Sequence, residues 1–281
     1  MEHTGNLQRG LTPPFFKGRF MDSESHTTRQ SERGIWLSTG FHETPEEGMS
    51  IMECVAYVCG EEHSSYPLRA CPVISELVRD IADHASDRDR QTLVQFILPI
   101  ACSVASEEVT HKRLFYCVDF VARTLAPDVL TYFCRIEEAR ALQKLSPIRD
   151  TRTAQEAHMA LRTLFLSAYL NPTHRVLSRT YDQLVQLVDH ASKVLSSDGD
   201  ALTVLLMLKA ALARFESQAD SYVANMIFER KRVLLENVLC IGPNLPVQPE
   251  VLTLRRQRLE RLERKMSVGS FGRAPGSKSE R

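Results

Sequence analysis

Met49-Ser50-Ile51-Met52-Glu53-Cys54-Val55-Ala56-Tyr57-Val58-Cys59-Gly60-Glu61-Glu62-His63-Ser64-Ser65-Tyr66-Pro67, followed by Cys71-Pro72-Val73-Ile74, is the stretch that decides the fold. Met49 to Val58 is apolar around most of a helical circumference, the pattern of a helix buried at the centre of a protein. Gly60 stands just past that run, where a helix end favours a left-handed residue. Pro72 opens the next helix at a position whose N–H would have had no partner in any case. Val73, Ile74, Leu77, Val78 and Ile81 then recur at helical spacing. The stretch therefore reads as helix, stop, polar loop and restart.

The same grammar continues outward. A helix is predicted over about 88–104, opened by Ser86 or Asp87 and kinked or split by Pro99. Another is predicted over about 107–125, capped by Ser106 and stopped by Pro127, with a further helix to about Leu145. Beyond Pro147 come helices over about 152–169 and 175–195, and a break at Ser196-Ser197-Asp198-Gly199 with Asp200 as the next cap. A nearly all-apolar run over 201–215 follows, then a seam of Val223, Ile227, Leu234, Val238 and Ile241. No run of strict apolar–polar alternation occurs. The predicted class is all-α, with nine or so helices in a multi-helix bundle or a short HEAT-like stack of antiparallel pairs.

Four regions follow from composition. Residues 1–47, rich in Gly, Ser, Thr, Pro and charge, read as a disordered leader. Within it Trp36 sits in a short apolar island, Gly34-Ile35-Trp36-Leu37, that could dock on the body or on a partner. Residues 48–145 and 146–245 form two helical regions packed together. Residues 246–281 carry a detached charged helix over about 250–266 and a disordered tail. In that helix Leu252, Leu259, Leu262 and Met266 make a coiled-coil-like seam, and six basic residues outnumber three glutamates. Trp36, Arg255, Arg258, Leu259, Arg261 and Leu262 are the partner-binding candidates.

Composition narrows the function classes. The 281 residues are 43% hydrophobic and 25% charged, with 35 basic residues balancing 35 acidic ones. Zero net charge argues against a chain devoted to nucleic acid, although the basic helix could form a local patch. The seven cysteines are odd in number and several lie inside apolar helical patterns, as buried thiols do. With no signal-peptide pattern and no apolar run of membrane-spanning length, a cytoplasmic location without membrane contact is expected.

Glu53, Glu61, His63 and Ser64 are the candidate site. A glutamate inside an apolar helix needs partners or a raised pKa, so the group reads either as a structural latch, with Glu53 accepting bonds from His63, Ser64 or backbone amides, or as an acid–base site. Cys54, Cys59, His63 and Cys71 approach a zinc set in composition but not in spacing, because Cys54 and Cys59 stand about 140° apart around a helix. Ser64 beside His63 lacks a nucleophile elbow and an oxyanion loop. No phosphate-cradling glycine motif is present. No metal and no cofactor is predicted.

Pro45-Glu46-Glu47-Gly48-Met49, Met52-Glu53-Cys54-Val55-Ala56-Tyr57, Gly60-Glu61, His63-Ser64, Pro67 and Cys71-Pro72-Val73-Ile74 together resemble a segment of uncharacterised helical proteins of bacteria, actinomycetes in particular, and of phages. The likeness spans about residues 46–130. Cys54 and Cys59 replace alanines common there, Ser65-Tyr66 replaces an acidic–basic pair, and the spacing near Cys71 differs by one residue. The resemblance implies a domain boundary and no activity. The expected function is a non-catalytic protein-interaction or scaffold module with a protein partner or a second copy. The alternatives are an enzyme built on Glu53, Glu61 and His63, or a nucleic-acid-associated regulator using the basic helix.

Overall fold

Ser50, Ser86 and Ser106 each accept the backbone N–H three residues on, and so start α1 (Ile51–Cys59), α3 (Asp87–Gln91) and α5 (Glu107–Phe120). Pro72 opens α2 (Pro72–His84) instead. Gly60 ends α1 at φ 72°, a conformation that a side chain would strain. The remaining helices are α4 (Ile97–Ala101), α6 (Ala126–Tyr132), α7 (Ile136–Gln143), α8 (Thr151–Leu170), α9 (Arg175–Lys193), α10 (Ala201–Glu216), α11 (Ser221–Leu239) and α12 (Pro249–Ser267). The computed structural model describes residues 34–170, 175–193, 201–216 and 220–267. The leader before 34, the break at 196–199 with its cap Asp200, and the tail after 267 lie outside them. Among the described residues there is no strand, and the chain is all-α.

Two prolines act differently from expectation. Pro127 does not stop its helix. A π-helical turn over Val121–Leu125, with the Ala126 N–H reaching back to the Val121 carbonyl, widens the helix just before the proline ring, and α6 carries on to Tyr132. Pro99 sits in the first turn of α4, where no N–H is missed. The split it was expected to cause lies upstream, at a 3₁₀ turn over Thr92–Phe96.

α1 is the centre: every residue but Tyr57 is buried. It packs on α2, α4 and α12, while α2 packs on α10 and α11, and α5 meets α2, α9, α10 and α11. Helices close in sequence, such as α8 with α9 and α9 with α10, also lie together. One continuous apolar cluster therefore draws on both predicted helical regions, from Ile35 to Met266. Each fully buried Leu, Ile or Val adds about 1.5–3 kcal/mol of transfer free energy, offset by the entropy of ordering the chain.

The leader is not one uniform segment. Ile35 and Leu37 are buried in the core, and the side chain of Gln91 on α3 holds the Leu37 backbone from both sides, accepting its N–H at 2.8 Å and donating to its carbonyl at 3.0 Å. Ser38 N–H donates to the Met49 carbonyl at 2.9 Å. Residues 34–48 thus belong to the body. The apolar island docks through Ile35 and Leu37 and leaves Trp36 54% exposed.

α12 is not detached either. Arg255 donates to the Ala101 carbonyl at 2.7 Å, at the C-terminus of α4, and Arg258 lies over Gly60 and donates to the Val58 carbonyl at 3.4 Å, at the C-terminus of α1. Helix C-termini leave carbonyls without internal partners and carry negative dipole ends, so two cations seat there favourably. Leu262 and Met266, from the expected seam, are buried against the body. Leu259 packs half-buried against the same core, and α12 lies on α1 of its own chain.

The tie between α2 and α11 is polar. Asp80 and Lys231 meet at 2.6 Å with each side chain only 1% exposed. Removing one member of such a pair strands a buried charge, whereas removing both does not. Lys231→Met is expected to lower stability in urea by about 3–5 kcal/mol, and Asp80→Leu added to it should recover most of that loss. A single-variant loss below about 1 kcal/mol would show that the pair does not hold α2 to α11.

Candidate functional site

Glu53 is the only carboxylate of α1, and none of it is exposed. Both oxygens are engaged. Oε1 accepts the His42 N–H at 2.9 Å and the Ser65 hydroxyl at 3.1 Å. Oε2 accepts the Ser50 N–H at 2.7 Å and His42 Nδ1 at 2.9 Å. A carboxylate can only accept, so the His42 proton in that bond sits on Nδ1. With Ser50 capping α1 in return, Ser50 and Glu53 form a capping box. Burial pushes the Glu53 carboxyl up, but the amides of His42 and Ser50 and the His42 ring outweigh it and hold the group below its ordinary value.

The other members of the expected group stand close by in separate roles. His63 Nε2 donates to the His42 carbonyl at 2.9 Å and lies 4.0 Å from Glu53 Oε1. Ser64 accepts the Tyr66 N–H at 3.0 Å. Glu61 accepts the N–H groups of Leu68 and Arg69 at 2.7 and 2.9 Å, pinning the far end of the loop. Ser65 carries the network onward: its carbonyl accepts Arg79 Nη1 at 2.5 Å, and Arg79 pairs with Glu76 and covers the Tyr66 ring at 4.2 Å. Glu53 is thus fastened to the leader segment and to the loop by His42 and Ser65, and His63 acts through His42. A carboxylate shut from solvent with both oxygens bonded has no lone pair to offer a substrate.

His42 and Ser65 were missed by sequence reasoning. His42 lies in a stretch without periodicity, and nothing local links it to Glu53. Ser50-x-x-Glu53, by contrast, is a readable capping signature.

None of the cysteines is in a disulfide. Burial pushes Cys54 and Cys117 far above the ordinary thiol range, and Cys59, whose Sγ faces the Ala101 carbonyl at 3.7 Å, up to about 11. Cys71 is buried at the start of α2, its N–H given to Ser103 Oγ at 2.9 Å. Among the described residues no three His, Cys, Asp or Glu side chains are grouped to hold a metal ion. Of the partner-binding candidates, Arg255 and Leu262 are buried, Arg258 and Leu259 are half-buried against the body, and Trp36 and Arg261 face outward.

Exposed apolar surface collects at another corner, where α6 turns into α7 beside the start of α11. Tyr132 stacks on Tyr222 with ring centroids 5.7 Å apart and meets Phe133 edge-on at 5.3 Å. The Tyr132 hydroxyl donates to Asp220, the cap of α11, at 2.5 Å. Cys134, at φ 58°, turns the chain there in a left-handed conformation that a non-glycine residue rarely adopts. Both charge signs flank the aromatics: Arg230 pairs with Asp128 at 2.7 Å, and Arg135 pairs with Glu138.

Glu53→Gln tests the acceptor. Each oxygen meets a fixed backbone N–H, so an amide in either orientation sets its NH₂ against a donor. The substitution is expected to cost about 3 kcal/mol at neutral pH, measured by chemical denaturation. Because the folded pKa is below the ordinary value of 4.5, this stability is complete above about 4.5 and is lost as pH falls through the folded value. The gap between wild type and variant should therefore narrow in acid; a gap independent of pH would contradict the ionised acceptor. No family model, curated sequence or solved structure matches the chain.

Proposed function

We propose that this chain is a non-catalytic helical interaction module that works by self-association, with Tyr132, Phe133 and Tyr222 anchoring the contact to a second copy. The observation that carries the reading is the surface aromatic cluster in which Tyr132 stacks on Tyr222 and meets Phe133 edge-on, with Tyr222 68% exposed. Rigid aromatic rings lose little conformational entropy on contact and are enriched where proteins meet. Paired charges of both signs beside them, on a chain of zero net charge, suit a self-complementary two-fold interface better than a strongly charged partner.

The polar groups support the same reading by where they are spent. Glu53, His63 and Ser64 are tied to the loop, and Arg255 and Arg258 lean onto helix ends rather than outward, which weakens an acid–base site and a nucleic-acid surface alike. No helix among the described residues is long and apolar enough to cross a membrane. All seven cysteines are free thiols, two of them exposed, which favours a reducing cytoplasm.

Sedimentation equilibrium of the full chain should show a dimer, and Tyr222→Ala combined with Phe133→Ser should weaken it at least about tenfold without changing the circular-dichroism melt. A wild-type chain that stays monomeric at about 100 µM overturns self-association. A dimer untouched by the double variant overturns the aromatic anchor.

A further inference from the structure

Between α12, the end of α4 and the segment Leu245–Gln248 lies a cleft of about 280 Å³. Its walls are apolar at Val104, Leu245 and Val251, and two arginines, Arg69 and Arg255, reach it from opposite elements. Arg255 is 5% exposed. Its Nη1 is used by the Ala101 carbonyl at 2.7 Å and by Cys102 Sγ at 3.5 Å, and its Nε is buried without a hydrogen-bond partner. Among the described residues no carboxylate pairs with either guanidinium. Glu61, on the same loop as Arg69, spends its oxygens on the amides of Leu68 and Arg69.

A guanidinium keeps its charge at any working pH, and a buried charge calls for a counter-charge. Carbonyl dipoles at the end of α4 supply part of it. We infer that the cleft is a binding site for a small organic carboxylate with an apolar body, its head group held by Arg255 and Arg69 and its chain laid along Val104, Leu245 and Val251. The arginine fork matches a carboxylate's two oxygens. The volume falls just below the roughly 300 Å³ at which drug-sized ligand pockets begin, so the occupant is small. The site is separate from the aromatic corner and does not depend on the self-association reading.

Calorimetric titration of the full chain with octanoate, and with octanol as the neutral counterpart, tests the site. Octanoate should saturate one site per chain and octanol should bind at least about tenfold more weakly. Arg69→Ala, on the exposed rim, should weaken octanoate at least about fivefold, and Arg255→Lys more than that. If Arg255→Lys does not fold, Arg69→Ala alone carries the test. Absence of saturable octanoate binding, equal binding of octanol, or wild-type binding by Arg69→Ala overturns the proposal. A short peptide ending in leucine separates the sources of the carboxylate. Competition with octanoate that requires a free C-terminus and exceeds it in affinity assigns the same chemistry to a protein terminus, and weaker binding than octanoate assigns it to a free acid.

Discussion

A carboxylate removed from water must be surrounded by donors, and Glu53 sets that condition at the middle of the molecule. Its four acceptor contacts come from three places in the chain: the segment ahead of α1, the N-terminus of α1, and the loop before α2. None of these backbones has regular partners of its own at that point. One side chain therefore does what a sheet ladder would do elsewhere, holding irregular chain in a fixed shape. The donors in turn keep the carboxylate ionised, so the arrangement sustains itself. From Ser65 the order passes to Arg79 and Glu76, and then to Lys209 on α10 at 3.4 Å, which links the irregular N-terminal layer to the second half of the bundle.

What could be read in the sequence was local and periodic. The α1–α2 hairpin, the serine starts of α3 and α5, and the long α8 and α9 each announce themselves within a turn or two. What could not be read depended on distance or on compensation. Asp80 and Lys231 are 151 residues apart, and either one alone looks like a surface residue. Arg255 and Arg258 resemble solvated charges until the carbonyl ends of α4 and α1 are placed beside them. Pro127 looked like a stop because the π turn that accommodates it leaves no compositional mark. The candidate site was half visible: Glu53 stood out by being charged in an apolar helix, while His42 was hidden in a stretch with no pattern.

Polar chemistry and apolar display have been sorted in an unusual direction. Glu53, Asp80, Arg90, Arg113 and Lys231 are inside, each bonded to backbone or to an opposite charge. Arg113 alone reaches the carbonyls of Ser103 and Ile241 and the side chain of Asn244. Tyr132, Phe133 and Tyr222 are outside. Buried polar networks fix one arrangement of helices at some cost in stability, and a fixed arrangement gives exposed aromatics a defined geometry.

The closure of α12 over α1 also has a consequence in time. Val58 and Arg258 are separated by 200 residues. At synthesis rates of about 5–20 residues per second, the buried helix α1 waits about 10–40 s for the helix that covers it. During that interval one face of α1 and the carbonyl ends of α1 and α4 are open to whatever is nearby, including other nascent chains. The arrival of α12 therefore decides when this vulnerable period ends.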